Sequence, residues 1–271
     1  MAKTTKTKLQ ETTAISGGKV VEPEKAKLAP QKSITLTAAM SKASAWQRFD
    51  VWLVGDAPMI SHAWSEKAKR EMLAKMVKAV KVAREERNPE EEFVNSLYEI
   101  SDGVFGFPIT AVKKAILSYA HKDRGIAKTV VMSALWLDYR IVSQRPALAG
   151  AVCDMPLVRI YAEAPKMRED MVRIKGRGGA TANFAFRAQF FPWAIKLTGK
   201  IDPEQLPPEV VAFLVEGSGR ACGIGDWRTE KSGVFGSYHM ADEIEARAWD
   251  KYAEGKGPIP MPPDLMQAAA E

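Results

Sequence analysis

The stretch Gly217-Ser218-Gly219-Arg220-Ala221-Cys222-Gly223-Ile224-Gly225-Asp226-Trp227-Arg228, continued by Gly233-Val234-Phe235-Gly236, holds six glycines in twenty residues. Glycine lacks a Cβ, so such a run can reach positive φ and let a ligand approach backbone N–H groups. Its flanks restrict what that ligand is. Pro207-Pro208 opens a helix over Glu209 to about Glu216, since proline fits a first helical turn. Val234 to Met240 reads as a strand. The order helix, loop, strand reverses that of the dinucleotide fingerprint, and no Gly-Lys-Ser/Thr follows, so the pattern is neither a Rossmann cradle nor a P-loop. Arg220 and Arg228 could pair with phosphate and Trp227 could stack on a base. The plain alternative is a tight connection that packs a helix closely on a sheet.

Upstream, Phe190 to Ile201 reads as one long strand, with Trp193, Ile195 and Leu197 alternating with Ala194, Lys196 and Thr198, and Asp202-Pro203 ending it. Residues 163–188 carry Lys166, Arg168, Arg173, Lys175, Arg177 and Arg187, with Gly176, Gly178 and Gly179 among them and Phe184 and Phe186 after them. From Arg159 to Arg187 there are seven basic and three acidic residues, a net of +4. This is expected to be a projecting hairpin or loop. The two phenylalanines either stack on bases or pack in the core.

Leu157 to Ala162 is another strand, and Val130 to Val142 holds one or two strands or a short helix. Thr110 is expected to cap a helix running to about His121, with Val112, Ala115, Ile116 and Tyr119 inward. Phe49 to Val54 reads as a strand ended by Gly55-Asp56-Ala57-Pro58. Ser65 then caps a helix over Glu66 to Arg87, with Ala68, Met72, Met76, Ala79 and Val80 on one stripe and Lys67, Lys69, Arg70, Lys75, Lys78 and Lys81 opposite, closed by Asn88-Pro89. That basic face is either solvated or a phosphate contact. Residues 241–271, with a short acidic helix and a Pro-rich end including Pro262 and Pro263, are expected to be peripheral.

The 271 residues carry a formal charge of +6, with 46% hydrophobic and 27% charged residues, ordinary globular values. The charge is uneven: residues 1–47 hold eight lysines and three glutamates, so any basic face on the rest is a local patch. Residues 1–45 have few large apolar groups and read as a basic tail, either solvated or an arm touching phosphate or a neighbouring subunit. Cys153 and Cys222 give no disulfide framework. No apolar run spans a bilayer and no secretory signal opens the chain, so the expectation is a cytoplasmic protein.

Three segments in order resemble the RAMP superfamily, the fold of backbone subunits in CRISPR effector complexes. They are Val51 to Trp64; Phe107-Pro108-Ile109-Thr110-Ala111-Val112-Lys113-Lys114-Ala115-Ile116, similar to the family's Ile-Pro-x-Ser-x-Leu-Lys-Gly strand-to-helix start; and the C-terminal helix, glycine loop and strand. The resemblance covers about half of the chain and extends to phage-encoded relatives outside CRISPR loci. It implies an α+β fold with a ferredoxin-like (RRM-like) core over 46–240, an insertion at about 128–188 carrying a thumb-like basic hairpin, and the glycine-rich loop before the last strand. It further implies a protein that oligomerises, often as filaments, along single-stranded RNA or DNA; the family's RNA-cleaving members use an acidic loop residue or a histidine, and since neither Asp154, Asp170 nor any histidine aligns with those positions, a non-catalytic protein is expected. The expected nucleic-acid contacts are Lys113, Lys114, Arg168, Arg173, Lys175, Arg177, Phe184, Phe186, Arg187, Gly219, Arg220, Gly223, Gly225, Trp227 and Arg228. No cofactor is expected.

Enzymatic readings are weaker. His62, His121 and His239 lack metal-ligand spacing. Cys222, near Arg220 and Arg228, could have a lowered pKa but has no base beside it in sequence, only His239 as a partner in space. Glu90-Glu91-Glu92 reads as a solvated turn, and Glu169-Asp170 as a metal site only if the hairpin brings further donors. The alternatives are a RAMP-type endoribonuclease using Asp170 or His239, and a virus structural or assembly protein.

Overall fold

The computed structural model describes residues 46–77, 87–144, 151–176 and 179–261. The expected tail 1–45, the helix continuation through Lys78, Ala79, Val80 and Lys81, residue Arg177 and the terminal Pro262 and Pro263 lie outside them, as do the side chains of Arg173 and Lys175.

The fold is mixed α+β, built on antiparallel pairing. The strands are β1 (Gln47–Gly55), β2 (Met59–Ser61), β3 (Tyr98–Ser101), β4 (Val104–Pro108), β5 (Leu135–Leu137), β6 (Arg140–Ser143), β7 (Asp154–Ala162), β8 (Lys166–Gly176), β9 (Gly179–Phe190), β10 (Trp193–Ile201) and β11 (Tyr238–Met240). The helices are α1 (Glu66–Met76), α2 (Pro89–Asn95), α3 (Ile109–Arg124), α4 (Lys128–Ala134), α5 (Pro208–Ala221) and α6 (Glu243–Ala253). The main sheet runs β11-β1-β10-β7-β4-β3. β10 pairs with β7 over Trp193–Ile195, then with β5 over Gly199–Ile201, while β6 pairs with β7 over Asp154–Leu157. A second sheet of β2, β9 and β8 carries the hairpin.

Strand alternation sorts two cores. Leu53, Trp193, Ile195, Leu197 and Ile201 face α3 and α5, where Val112, Ile116, Val211 and Leu214 complete the main core. The period of two turns Trp52, Val54 and Ala194 to the other face, where Trp249 of α6 covers them. The Trp52 and Trp249 rings stack at 6.0 Å, and Trp249 meets Tyr252 edge-on at 5.7 Å. Asp242 and Glu245 form a capping box that starts α6. The C-terminal segment is thus not peripheral in its first part; its composition hides one tryptophan that is 1% exposed.

Other boundaries moved for local reasons. The long strand expected over Phe190 to Ile201 breaks at the cis Phe191-Pro192 bond. Asn88-Pro89 opens α2: Asn88 Oδ1 accepts from the Glu90 amide at 3.0 Å, and the three glutamates fill the first turn, where the helix dipole favours them. Pro108, not Thr110, is the N-cap of α3. No residue of α1 is buried, and Met72 and Met76 of its apolar stripe are 42% and 76% exposed. Within the expected insertion, residues 128–143 build α4, β5 and β6 and residues 154–162 build β7, which lies inside the main sheet; β8 and β9 form the hairpin. Among the described residues no helix is long and apolar enough to cross a membrane.

Replacing Trp249 by alanine removes the plug of the second core. Urea unfolding is expected to show a loss of about 3–5 kcal/mol; a cost below about 1 kcal/mol would return α6 to a peripheral role.

Candidate nucleic-acid interface

The first wall of the site is the start of α3. Phe107 and Ile109 are buried anchors, and Val112 and Ile116 face the core. One helical face is left: Ala111, Lys114 and Ala115, related by three- and four-residue steps. Lys114 is exposed and has no ion-pair partner among the described residues. Lys113 points elsewhere. Its Nζ donates to the Leu135 carbonyl at 2.8 Å, and burial lowers its pKa.

The second wall is the glycine run, which is only partly a loop. α5 continues through Gly217 and Gly219 to Ala221. A Cβ on Gly219 would overlap the backbone carbonyl of Tyr238, so the glycine lets α5 lie directly against β11. For these two glycines the close-packing alternative holds. The turn proper begins at Cys222. Gly225, at φ +86°, sits with its Cα against the Ile60 carbonyl, where a side chain would be both strained and crowded.

The turn's amides are largely used internally. Gly223 N donates to Ser218 O at 3.0 Å, Ile224 N to Gly236 O at 2.9 Å, Asp226 N to Ile60 O at 3.0 Å, and Gly236 N to Pro58 O at 2.9 Å. The run is therefore a rigid wall more than an open row of donors.

Between the walls lies a groove of about 280 Å³, which His62 and Tyr98 also line. Two carboxylates organise it. Asp226 lies 2.9 Å from Arg187 and 3.3 Å from His62, which hold its pKa below the ordinary carboxylate value. Glu230 accepts from Ser118 Oγ at 2.7 Å, Lys122 at 2.9 Å and Arg228 at 2.9 Å, which hold its pKa down at about 2.

The hairpin is fastened to the same turn. Arg187 of β9 reaches Asp226, and the Arg168 guanidinium lies 4.5 Å from the Phe235 ring centre while its Nε donates to the buried Asp170 at 2.9 Å. Of the cations expected to meet phosphate, Arg168, Arg187 and Arg228 are thus already paired with carboxylates, and Arg220 lies 2.5 Å from Glu216. Trp227 stacks on Phe235 at 6.3 Å. Phe184 is 51% exposed, so it is not a core residue, and its ring stacks with the half-buried Phe186 at 6.4 Å. Met171, opposite Phe184 in the register, is exposed as well.

The structure brings together Lys114, Gly223, Gly225 and Arg228 in the groove, with the hairpin beside them. Gly219 is buried and Lys113 is turned away. His62, Ser118, Asp226 and Glu230 complete the site without having been marked as binding residues, since their partners lie far away in sequence and no local pattern signals them.

Enzymatic arrangements fare as follows. Burial raises the Cys222 thiol pKa, opposite to the lowering its arginine neighbours suggested; those cations answer to Glu216 and Glu230 instead. His239 has both ring nitrogens engaged, by Asp56 at 2.6 Å and Glu245 at 3.0 Å. Asp170 is held by Arg168. Among the described residues no three His, Cys, Asp or Glu side chains gather as metal donors. No protein family matches the sequence, and no curated protein matches it.

Glu230→Gln leaves three donors facing a weaker acceptor, and is expected to lower stability by about 1–2 kcal/mol in chemical denaturation at neutral pH. The wild-type contribution is present above the ordinary value of 4.5 and lost as pH falls through about 2.

His239 titrates in the opposite sense. Asp56, then Glu245, raise its pKa to about 9, so its stabilisation is full below 6.5 and is lost as pH rises through 9. Thermal melts from neutral to alkaline pH are expected to show a decline on the order of 1 kcal/mol, which His239→Gln flattens.

Proposed function

We propose that the chain binds single-stranded nucleic acid without cleaving it, along the groove between the α3 start and the glycine turn, with the hairpin laid beside the strand. The observation that carries this is convergence. Phe107 to Lys114 and Gly223 to Glu230, more than a hundred residues apart, wall one groove, and the basic hairpin is bolted to it through Arg187 and Asp226. These are two of the segments on which the RAMP resemblance rests.

The topology supports a ferredoxin-like core. β1, α3, β7, β10, α5 and β11 follow one another as strand, helix, strand, strand, helix, strand, and the four strands lie in the order β11-β1-β10-β7. The hairpin is then an insertion between the second and third core strands. Exposed Met167, Met171 and Phe184 on the hairpin support self-association along the strand. The burial of Asp170 against Arg168 and the double engagement of His239 support the non-catalytic reading.

Filter binding of a 20-nucleotide oligo(dT) or oligo(U) over a salt series tests the proposal. Affinity is expected to fall steeply with salt, and Lys114→Glu to weaken binding and to reduce the log–log slope by about 0.7. Absence of binding by the wild type at low salt overturns it.

A further inference from the structure

The outer face of the main sheet is divided in two. Directly opposed residues of an antiparallel pair share a face. Val54 with Ala194, Trp52 with Lys196, Asp50 with Thr198 and Arg48 with Lys200 therefore form successive rows on the side away from α3 and α5. α6 covers the first two rows: Trp249 packs on Trp52, and Asp250 accepts from Trp52 Nε1 at 3.1 Å and from Lys196 at 2.7 Å. The last row is left open, and across β5 it continues from Lys200 to Trp136.

Three aromatic rings stand at this open end. Trp46, Trp136 and Tyr139 are 45%, 48% and 43% exposed. Trp136 and Tyr139 lie 6.4 Å apart at 36°, offering nearly parallel rings. The Lys200 ammonium sits between the tryptophans, 5.1 Å from the Trp46 ring centre and 5.8 Å from that of Trp136. Arg48 is met by Asp138 at 2.5 Å, but Lys200 has no carboxylate partner among the described residues.

We infer that this open end is a second nucleic-acid contact, a platform on which bases of a single strand stack over Trp46, Trp136 and Tyr139 while Lys200 meets a phosphate. The inference rests on the single-strand reading above, although none of these residues belongs to the groove or the hairpin. A solitary exposed apolar side chain needs no explanation. Two tryptophan rings beside one cation, with Tyr139 next to Trp136, match both things a single strand presents, π-faces and a negative backbone. Charge also separates the possible occupants. The patch's own cation, Lys200, favours a polyanion over the chain's lysine-rich residues 1–47, which carry eight lysines and three glutamates.

Tryptophan fluorescence and filter binding with the same oligo(dT) and oligo(U) test the platform in the full chain. Wild-type emission is expected to quench on binding, and Trp136→Ala and Tyr139→Ala to bind roughly 5- to 20-fold more weakly. Lys200→Glu, which removes no ring and keeps the test open if a ring variant misfolds, is expected to lower the salt slope by about 0.7. If all three variants bind within about twofold of wild type while Lys114→Glu does not, the platform fails and the groove reading stands. If the wild type binds neither oligonucleotide, both fail. If Trp136→Ala instead dissolves a self-associated species in sedimentation, or abolishes binding to anionic phosphatidylserine vesicles, with oligonucleotide affinity unchanged, the patch serves another partner and the inference is overturned.

Discussion

Glu230 is the carboxylate that fixes the glycine turn against α3 at the edge of the groove. It draws Ser118 and Lys122 of α3 to the glycine turn and neutralises Arg228 within that turn. The turn in turn hydrogen-bonds to the carbonyls of Pro58 and Ile60 beyond β1, and Asp226 within it anchors the base of the hairpin through Arg187. A half-buried carboxylate with several donors is costly to leave unpaired and specific about where its partners sit. The groove is what this arrangement leaves between the parts it joins.

The second constraint is the period of two along β10. Trp193, Ile195 and Leu197 build the core under α3 and α5, while Ala194, Lys196 and Lys200 alternate to the other face. That face would be an exposed sheet along its whole length if α6 did not cover half of it with Trp249. The same alternation that makes the fold thus creates both the covered row at Trp52 and the open row at Lys200. One sheet presents two distinct surfaces, with the groove on the helix side and the aromatic patch on the other.

Periodicity and punctuation were readable in the sequence, whereas long-range pairing was not. The α3 face from Val112 to Tyr119 and the alternation of β10 follow from residue spacing, while basic residues and glycines marked 163–188 as a hairpin or loop, of which the structure shows the hairpin. Six clustered glycines marked a close backbone approach, and the structure has one, but it is protein against protein: Gly219 meets Tyr238 and Gly225 meets Ile60. Composition cannot tell which surface a bare backbone meets. Nor can it tell which cations are free, because Arg168, Arg187 and Arg228 look like phosphate ligands until Asp170, Asp226 and Glu230 are placed beside them. Reading the C-terminal segment by its acidic residues and prolines misses the burial of Trp249, although Ala246, Trp249, Tyr252 and Ala253 recur at helical spacing and line the face that fills the second core.

This internal pairing changes how the proposed function would work. With its arginines committed, the groove is a shaped, nearly neutral channel and not a row of phosphate clamps. Lys114 at its rim and Lys200 across the sheet have no carboxylate partner among the described residues, and residues 1–47 carry a further net charge of +5 by sequence. Attraction and recognition are then separated in space. Lysines outside the groove would draw in the polyanion, and exposed rings at Phe184, Trp46 and Trp136 would fix the bases by stacking, which tolerates any sequence. A protein arranged in this way would hold a strand by its general chemistry, and the carboxylates that neutralise its arginines would serve to keep the groove open and in shape.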